Sequence, residues 1–192
     1  MRPVILVHGI WNTAAIFRPL KIHLENAGWP TYTFSMRPNN GDAPIEALAQ
    51  QVNQFVNITI GPQQPYHLIG FSMGGLISRY YLQKLGGLAR VHKFIAICAP
   101  HAGTVLAFGS NRCGVRQMRP NSPFIRSLNQ DAHQLEHIEV SSLWTASDLF
   151  ILPPWSAKRK VGAHQRLNIP SHNRMIRDRA GLEAIAQILN QT

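Results

Sequence analysis

Apolar positions along the chain follow two alternating rhythms. Short, nearly unbroken apolar runs, rich in β-branched residues and flanked by Gly, Pro or Asn, predict strands near Val4–Val7, Thr31–Phe34, His67–Ile69, Phe94–Cys98, Ile138–Trp144 and Arg166–Ile169. Between them, apolar residues at helical spacing predict helices near Pro19–Ala27, Pro44–Asn57 and Met73–Leu85, with a closing helix near Arg177–Leu189. This alternation is the signature of βαβ units, and several strands read as nearly unbroken apolar runs, which suits a parallel sheet covered on both faces. The expected fold class is therefore α/β: one domain over residues 1–192, a doubly wound, mainly parallel six-stranded sheet flanked by helices.

Local chemistry sets the limits of these elements. Gly28 and the Gly86-Gly87 pair should stop two helices, and Asp42, two residues before Pro44, has the spacing of a helix cap followed by a proline-tolerant first turn. From His101 to about Gln130 the pattern fails. Gly103, Gly109, Gly114, Pro120 and Pro123 punctuate that segment, and only Phe124–Leu128 has room for a short helix. So long an irregular stretch within a compact domain is usually functional, so a lid or binding loop is expected there.

Composition narrows the class. At 192 residues with 45% hydrophobic content, the chain can bury a core without crosslinks, and its two cysteines form no disulfide framework. Cys98 ends an apolar run and is expected as a buried thiol, with a bridge to Cys113 left open. No run approaches the ~20 apolar residues of a spanning helix. The first apolar run is too short for a signal segment, so the expected location is cytoplasmic, with peripheral membrane contact left open. The net charge of +10 is divided evenly between the two halves and favours anionic surfaces, a membrane included. No zinc finger, RNA-binding aromatic motif or basic recognition helix is present, so nucleic acid is not an expected partner.

The candidate chemistry begins at Gly70-Phe71-Ser72-Met73-Gly74, which follows an apolar strand and opens a helix. A sharp strand-to-helix turn exposes a serine hydroxyl at a helix N-terminus, where the dipole favours developing negative charge, and it requires glycines where backbones cross. Val7-His8-Gly9-Ile10 closes the first strand. With these motifs in view, the chain resembles the α/β-hydrolase superfamily, and most of all its small, single-domain bacterial-type lipases and esterases. His8-Gly9-Ile10-Trp11 resembles that family's oxyanion turn, Gly70–Gly75 its nucleophile elbow, and Pro100-His101-Ala102-Gly103-Thr104 the segment after the following strand.

The resemblance implies Ser72 as nucleophile, backbone N–H groups of Ile10 and Met73 as the oxyanion hole, and a chain order of serine, acid, histidine. The acid then comes from Asp131, Glu136, Glu139, Asp148, Asp178 or Glu183, and Asp148, just beyond the fifth strand, stands where a βα loop faces the elbow. Only His164 and His172 follow it. His172 lies after the sixth predicted strand and is the expected base, whereas His164 precedes that strand and should sit at the far end of the sheet. His8 and His101 resemble structural histidines. His133 and His137 lack the Glu placement and third ligand of a zinc site, so neither metal nor cofactor is expected.

The reading is a serine hydrolase of carboxylic esters, acyl-lipid esters above all, with an acyltransferase or a non-catalytic lipid-binding module as alternatives. Apolar residues crowd the expected mouth, where Trp11, Phe17 and Ile151 are the candidate substrate contacts. The loop Leu149–Lys160 sets an apolar patch beside Lys158, Arg159 and Lys160, a pattern suited to an anionic lipid surface.

Overall fold

A computed structural model of the chain describes residues 1–158 and 161–191. Six strands, β1 (Val4–Val7), β2 (Thr31–Thr33), β3 (Tyr66–Phe71), β4 (Val91–Ile97), β5 (Glu139–Trp144) and β6 (Ala163–Arg166), pair in the order β2-β1-β3-β4-β5-β6, and every pairing is parallel. The chain moves one way from β1 to β2 and the other way to β3, which opens a switch point beyond the C-terminal ends of β1 and β3. Val7 lies opposite Gly70, and Gly70 opposite Ala96, so the three central strands end together.

Helices cover both faces, as the apolar runs of the central strands require. Successive strand residues point to opposite sides. Ile5 and Val7 therefore pack with α2 (Ile45–Thr59) and α3 (Met73–Lys84), while Val4 and Leu6 pack with α1 (Arg18–Asn26) and α6 (Arg179–Asn190). Both core clusters are dense in fully buried Leu, Ile and Val. Gly28 and Gly86 follow α1 and α3 with φ of 88° and 80°, the left-handed backbone that ends a helix. No helix among the described residues is long and apolar enough to cross a membrane.

Four expectations are corrected. The sixth strand runs over Ala163–Arg166 rather than Arg166–Ile169. Its residues are all exposed because β6 is an edge strand, and apolar Ile169 packs into the core beyond it without strand pairing. His164 accordingly lies within β6, opposite Ser142, and not ahead of it. The segment 101–130 is not structureless. It holds α4 (Cys113–Gln117), α5 (Pro123–Gln130) and a 3-10 turn over Val105–Gly109. Finally, Asp42 does not cap α2. The first N–H of that helix, on Ile45, donates to Oε1 of Gln117 at 2.7 Å, and Asp42 instead accepts from Arg112 at 3.1 Å.

Candidate active site

Ser72 links β3 to α3 in a single residue. Its φ of 56° and ψ of −127° lie where L-residues are strained, a conformation that persists only when its surroundings hold it. The surroundings are backbones in close approach. A Cβ on Gly74 would come within 2.1 Å of the Val7 carbonyl oxygen, so α3 can cross the end of β1 only without a side chain there. The N–H of Ser72 donates to Ile97 O at 2.8 Å, anchoring the turn on β4.

The turn after β1 lies directly against this serine. A Cβ on Gly9 would stand 2.8 Å from Ser72 Cβ and 3.2 Å from its Oγ. His8 shapes that turn from a fully buried position. Its Nε2 accepts the Met36 N–H at 2.9 Å, so Nδ1 carries the proton and donates to Gly9 O at 2.8 Å. Burial lowers its pKa, against the raising effect of the Gly9 bond, which suits this neutral form. The N–H groups of Trp11 and Asn12 are taken by Asn39 O and Gly9 O. Between the elbow and this turn, Met73 begins α3, where the first N–H groups lack helical partners. Ile10 and Met73 thus stand on the two turns that meet at Ser72.

Asp148 and His172, taken from different loops, form a buried pair. His172 Nδ1 lies 2.7 Å from Asp148 Oδ2, and the residues are 5% and 2% exposed. Oδ1 of Asp148 accepts the N–H groups of Phe150 and Ile151, both at 2.9 Å. Burial pushes the Asp148 carboxyl up, but the His172 bond and charge and these two N–H groups outweigh it, so the group is held below the usual carboxylate range. The His172 ring rests 4.7 Å from the ring of Phe71, the residue before Ser72, which brings the pair to the serine's end of the sheet. Thr145 joins the two loops by donating to Ile169 O at 2.5 Å. Nothing in its local sequence marks it for that part.

The segment after β4 is bound to the acid loop. Thr104 Oγ1 donates to Phe150 O and accepts from Leu152 N, both at 3.0 Å; Val105 N donates to Leu152 O and Ser156 Oγ to Gly103 O. This part of the expected lid is thus a fixed rim. Of the candidate substrate contacts, Trp11 is 65% exposed, whereas Phe17 is fully buried with its ring edge to Phe71. Ile151 is buried in the same core cluster and meets Asp148 through its N–H. Phe17 and Ile151 are therefore packing residues, because core contacts already occupy their side chains. Phe150, by contrast, is half exposed, with its ring 5.2 Å from that of His172. The ring that meets Asp148 is that of His172, while His164 lies exposed on the edge strand and His101 is buried in the segment after β4.

The family profile for the alpha/beta hydrolase fold matches residues 2–178. Among curated proteins, the chain is similar to palmitoyl-protein thioesterase 3 of Dictyostelium discoideum, at 31% identity over 111 residues, 53% of this chain and 37% of that protein. It is also similar to human monoacylglycerol lipase ABHD6, at 27% over 84 residues, 41% of this chain and 25% of the relative. The matches thus span little more than a third of these relatives, or less. Among solved structures, the mature form of Bacillus licheniformis lipase BlEst2 superposes with a TM-score of 0.81 at 14% identity, covering 98% of this chain and 91% of that one. Aspergillus fumigatus lipase B gives 0.83 at 19%, covering 99% of this chain and 52% of that one. At such identities the likeness is one of fold.

Proposed function

The chain belongs to the α/β-hydrolase fold family, and from that premise we propose that it is a serine hydrolase of carboxylic esters, acting on acyl-lipid esters through Ser72, His172 and Asp148. The observation that carries this reading is the buried Asp148–His172 pair, packed through the His172 ring on Phe71, the residue before the strained Ser72. With Nδ1 donating to Asp148, Nε2 of His172 is the basic nitrogen. It takes the Ser72 proton as Oγ attacks the ester carbonyl, and Asp148 holds the ring and offsets the imidazolium charge. The oxyanion falls to the N–H groups of Ile10 and Met73, donors that are fixed in place before charge develops. His172 then protonates the leaving alcohol, and water releases the acyl group by the same route in reverse. The relatives named as thioesterases make thioesters the second substrate class to assay.

The lipid preference rests on the rim. Trp11, Val105, Leu106, Leu149, Phe150 and Trp155 are large apolar side chains left exposed on loops that follow β1, β4 and β5, all at the end of the sheet where Ser72 lies. Such a patch fits an acyl boundary. Of the neighbouring cations, Lys158 sits over the Trp144 ring at 4.8 Å, and Arg159 and Lys160 lie outside the described residues.

One experiment tests both parts: p-nitrophenyl esters of increasing acyl length, supplied as monomers or in neutral and anionic vesicles, with phosphonate labelling of the serine. We expect turnover to rise with acyl length and at an anionic surface, and Ser72→Ala to lose at least about 10³ in kcat. A protein that neither takes the label nor cleaves any ester is a binding module, and preferred transfer to an added alcohol makes it an acyltransferase. Equal turnover on monomers and vesicles removes the lipid preference alone.

A further inference from the structure

The Asp148–His172 pair has a third buried neighbour. Cys98, the residue after β4, is fully buried, and its sulfur, an Asp148 carboxylate oxygen and a His172 ring nitrogen all lie within 4.8 Å of one another. β4 and β5 are adjacent, and the Cys98 N–H donates to Leu143 O at 2.8 Å, which sets the cysteine beside the start of the acid loop. The backbone at Cys98 is left-handed, with φ of 48°. A side chain in that region costs roughly 1–2 kcal/mol, which glycine would avoid, so the position is strained at a functional site.

Asp148 has a specific vacancy for such a neighbour. A carboxylate offers about four acceptor directions; Phe150 and Ile151 fill Oδ1, and His172 takes one on Oδ2. The Cys98 sulfur, within 4.8 Å of that carboxylate, stands where its S–H can be turned toward Asp148. Burial first, and then the Asp148 charge, push the thiol pKa well above its ordinary value. The group therefore stays S–H, a weak donor, and is no nucleophile or redox thiol.

We propose that Cys98 is a positioning residue: its buried S–H completes the donor set of Asp148 and limits how strongly that carboxylate pulls on the proton of His172. The inference rests on the assignment of Asp148 and His172 as acid and base. A donor on Asp148 draws off part of its negative charge, so the imidazolium form of His172 is stabilised less than by a carboxylate lacking that bond. Without the thiol, His172 should hold its proton to higher pH.

The test compares Cys98→Ala, Cys98→Gly and Cys98→Ser with wild type in two measurements. One is the pH profile of kcat/KM on a soluble ester. The other is NMR titration of the His172 ring in the free protein, which reads the contact whether or not any ester is cleaved. We expect Ala and Gly to raise the His172 midpoint, and with it the acid limb, by about half a pH unit or more, with kcat lowered several-fold and KM little changed. Ser keeps an O–H donor and should return the midpoint to the wild-type value or below. Gly suits the left-handed backbone, so it carries the test if Ala folds poorly. An unchanged NMR midpoint in Ala and Gly, or Ser behaving like Ala, overturns the role of the thiol. Inactivity of the wild type on every ester, with the midpoint shift present, overturns the hydrolase reading instead.

Discussion

The two ends of the sheet each bury an ionisable side chain to the same depth, and they treat its charge in opposite ways. Asp148, past the C-terminal end of β5, and His67, at the N-terminal end of β3, are both 2% exposed. Around Asp148 two backbone N–H groups and His172 converge, and the carboxylate stays ionised against the pull of burial. Around His67 stand the ring edges of Trp29 and His92 and the cations Arg2 and Lys93, and its Nδ1 has no hydrogen-bond partner among the described residues. Burial first, then His92, Arg2 and Lys93, push its pKa down to about 4, while Glu139 opposes them, so the ring is neutral. Depth is equal, so the donors at hand decide the charge. A charge kept at that depth is available for chemistry, and a charge expelled leaves a packing residue.

The most severe way to break the contrast is Asp148→Asn. An amide still accepts the Phe150 and Ile151 N–H groups, but it offers an N–H to His172 Nδ1 and so favours the wrong tautomer. We expect kcat on esters to fall by about 10³–10⁴ with the fold retained. Near-normal turnover in a folded variant would remove Asp148 from the mechanism.

At the other end, His67→Phe should change stability and leave activity alone. The unfolded imidazole titrates near 6.5 and the folded one near 4. Between those values the unfolded chain takes up a proton that the folded one refuses, so stability falls as pH is lowered from about 6.5 to about 4. The loss attributable to this group approaches about 3 kcal/mol at the lower end. Urea denaturation at pH 7 and pH 4.5 should show a smaller acid loss in the variant than in wild type; identical losses would mean that His67 is not held neutral.

The smallest expected effect is that of Thr104→Val, which removes the side chain joining the loops around Asp148. Phe150 O and Leu152 N would lose their partner, destabilising the protein by about 2 kcal/mol and lowering kcat less than tenfold. A variant of wild-type stability would show that the donors of Asp148 are placed without that link.

What the chain shows in advance follows from how each element is stabilised. β1 and β3 can be read from sequence because they are buried on both faces, so nearly every position is apolar, His67 of β3 excepted. β6 cannot, because an edge strand keeps little of that pattern: Ala-His-Gln-Arg pairs with β5 while its side chains face water. The start of α2 escapes for another reason, since its cap is Gln117, 72 residues away in the chain. Ser72 declares itself through glycines that steric contact demands. The fates of Phe17, Ile151 and Phe150 do not, since apolar loop residues near a mouth can face the core or the solvent and only packing chooses. The nearness of Cys98 to Asp148 is likewise a product of β4 lying beside β5, which no local motif states.

The crossing of α3 over the end of β1 also divides the molecule for anyone who would redesign it. Gly9, Gly70 and Gly74 each face atoms closer than a methyl group tolerates, at 2.8, 2.7 and 2.1 Å, so a library that varies them would discard most of its members as misfolded. A few residues away, Trp11, Leu149 and Trp155 extend from the same scaffold with more than half of their surface unoccupied. On the proposed function, new substrate preferences can be sampled there by random exchange, because those side chains carry little of the fold.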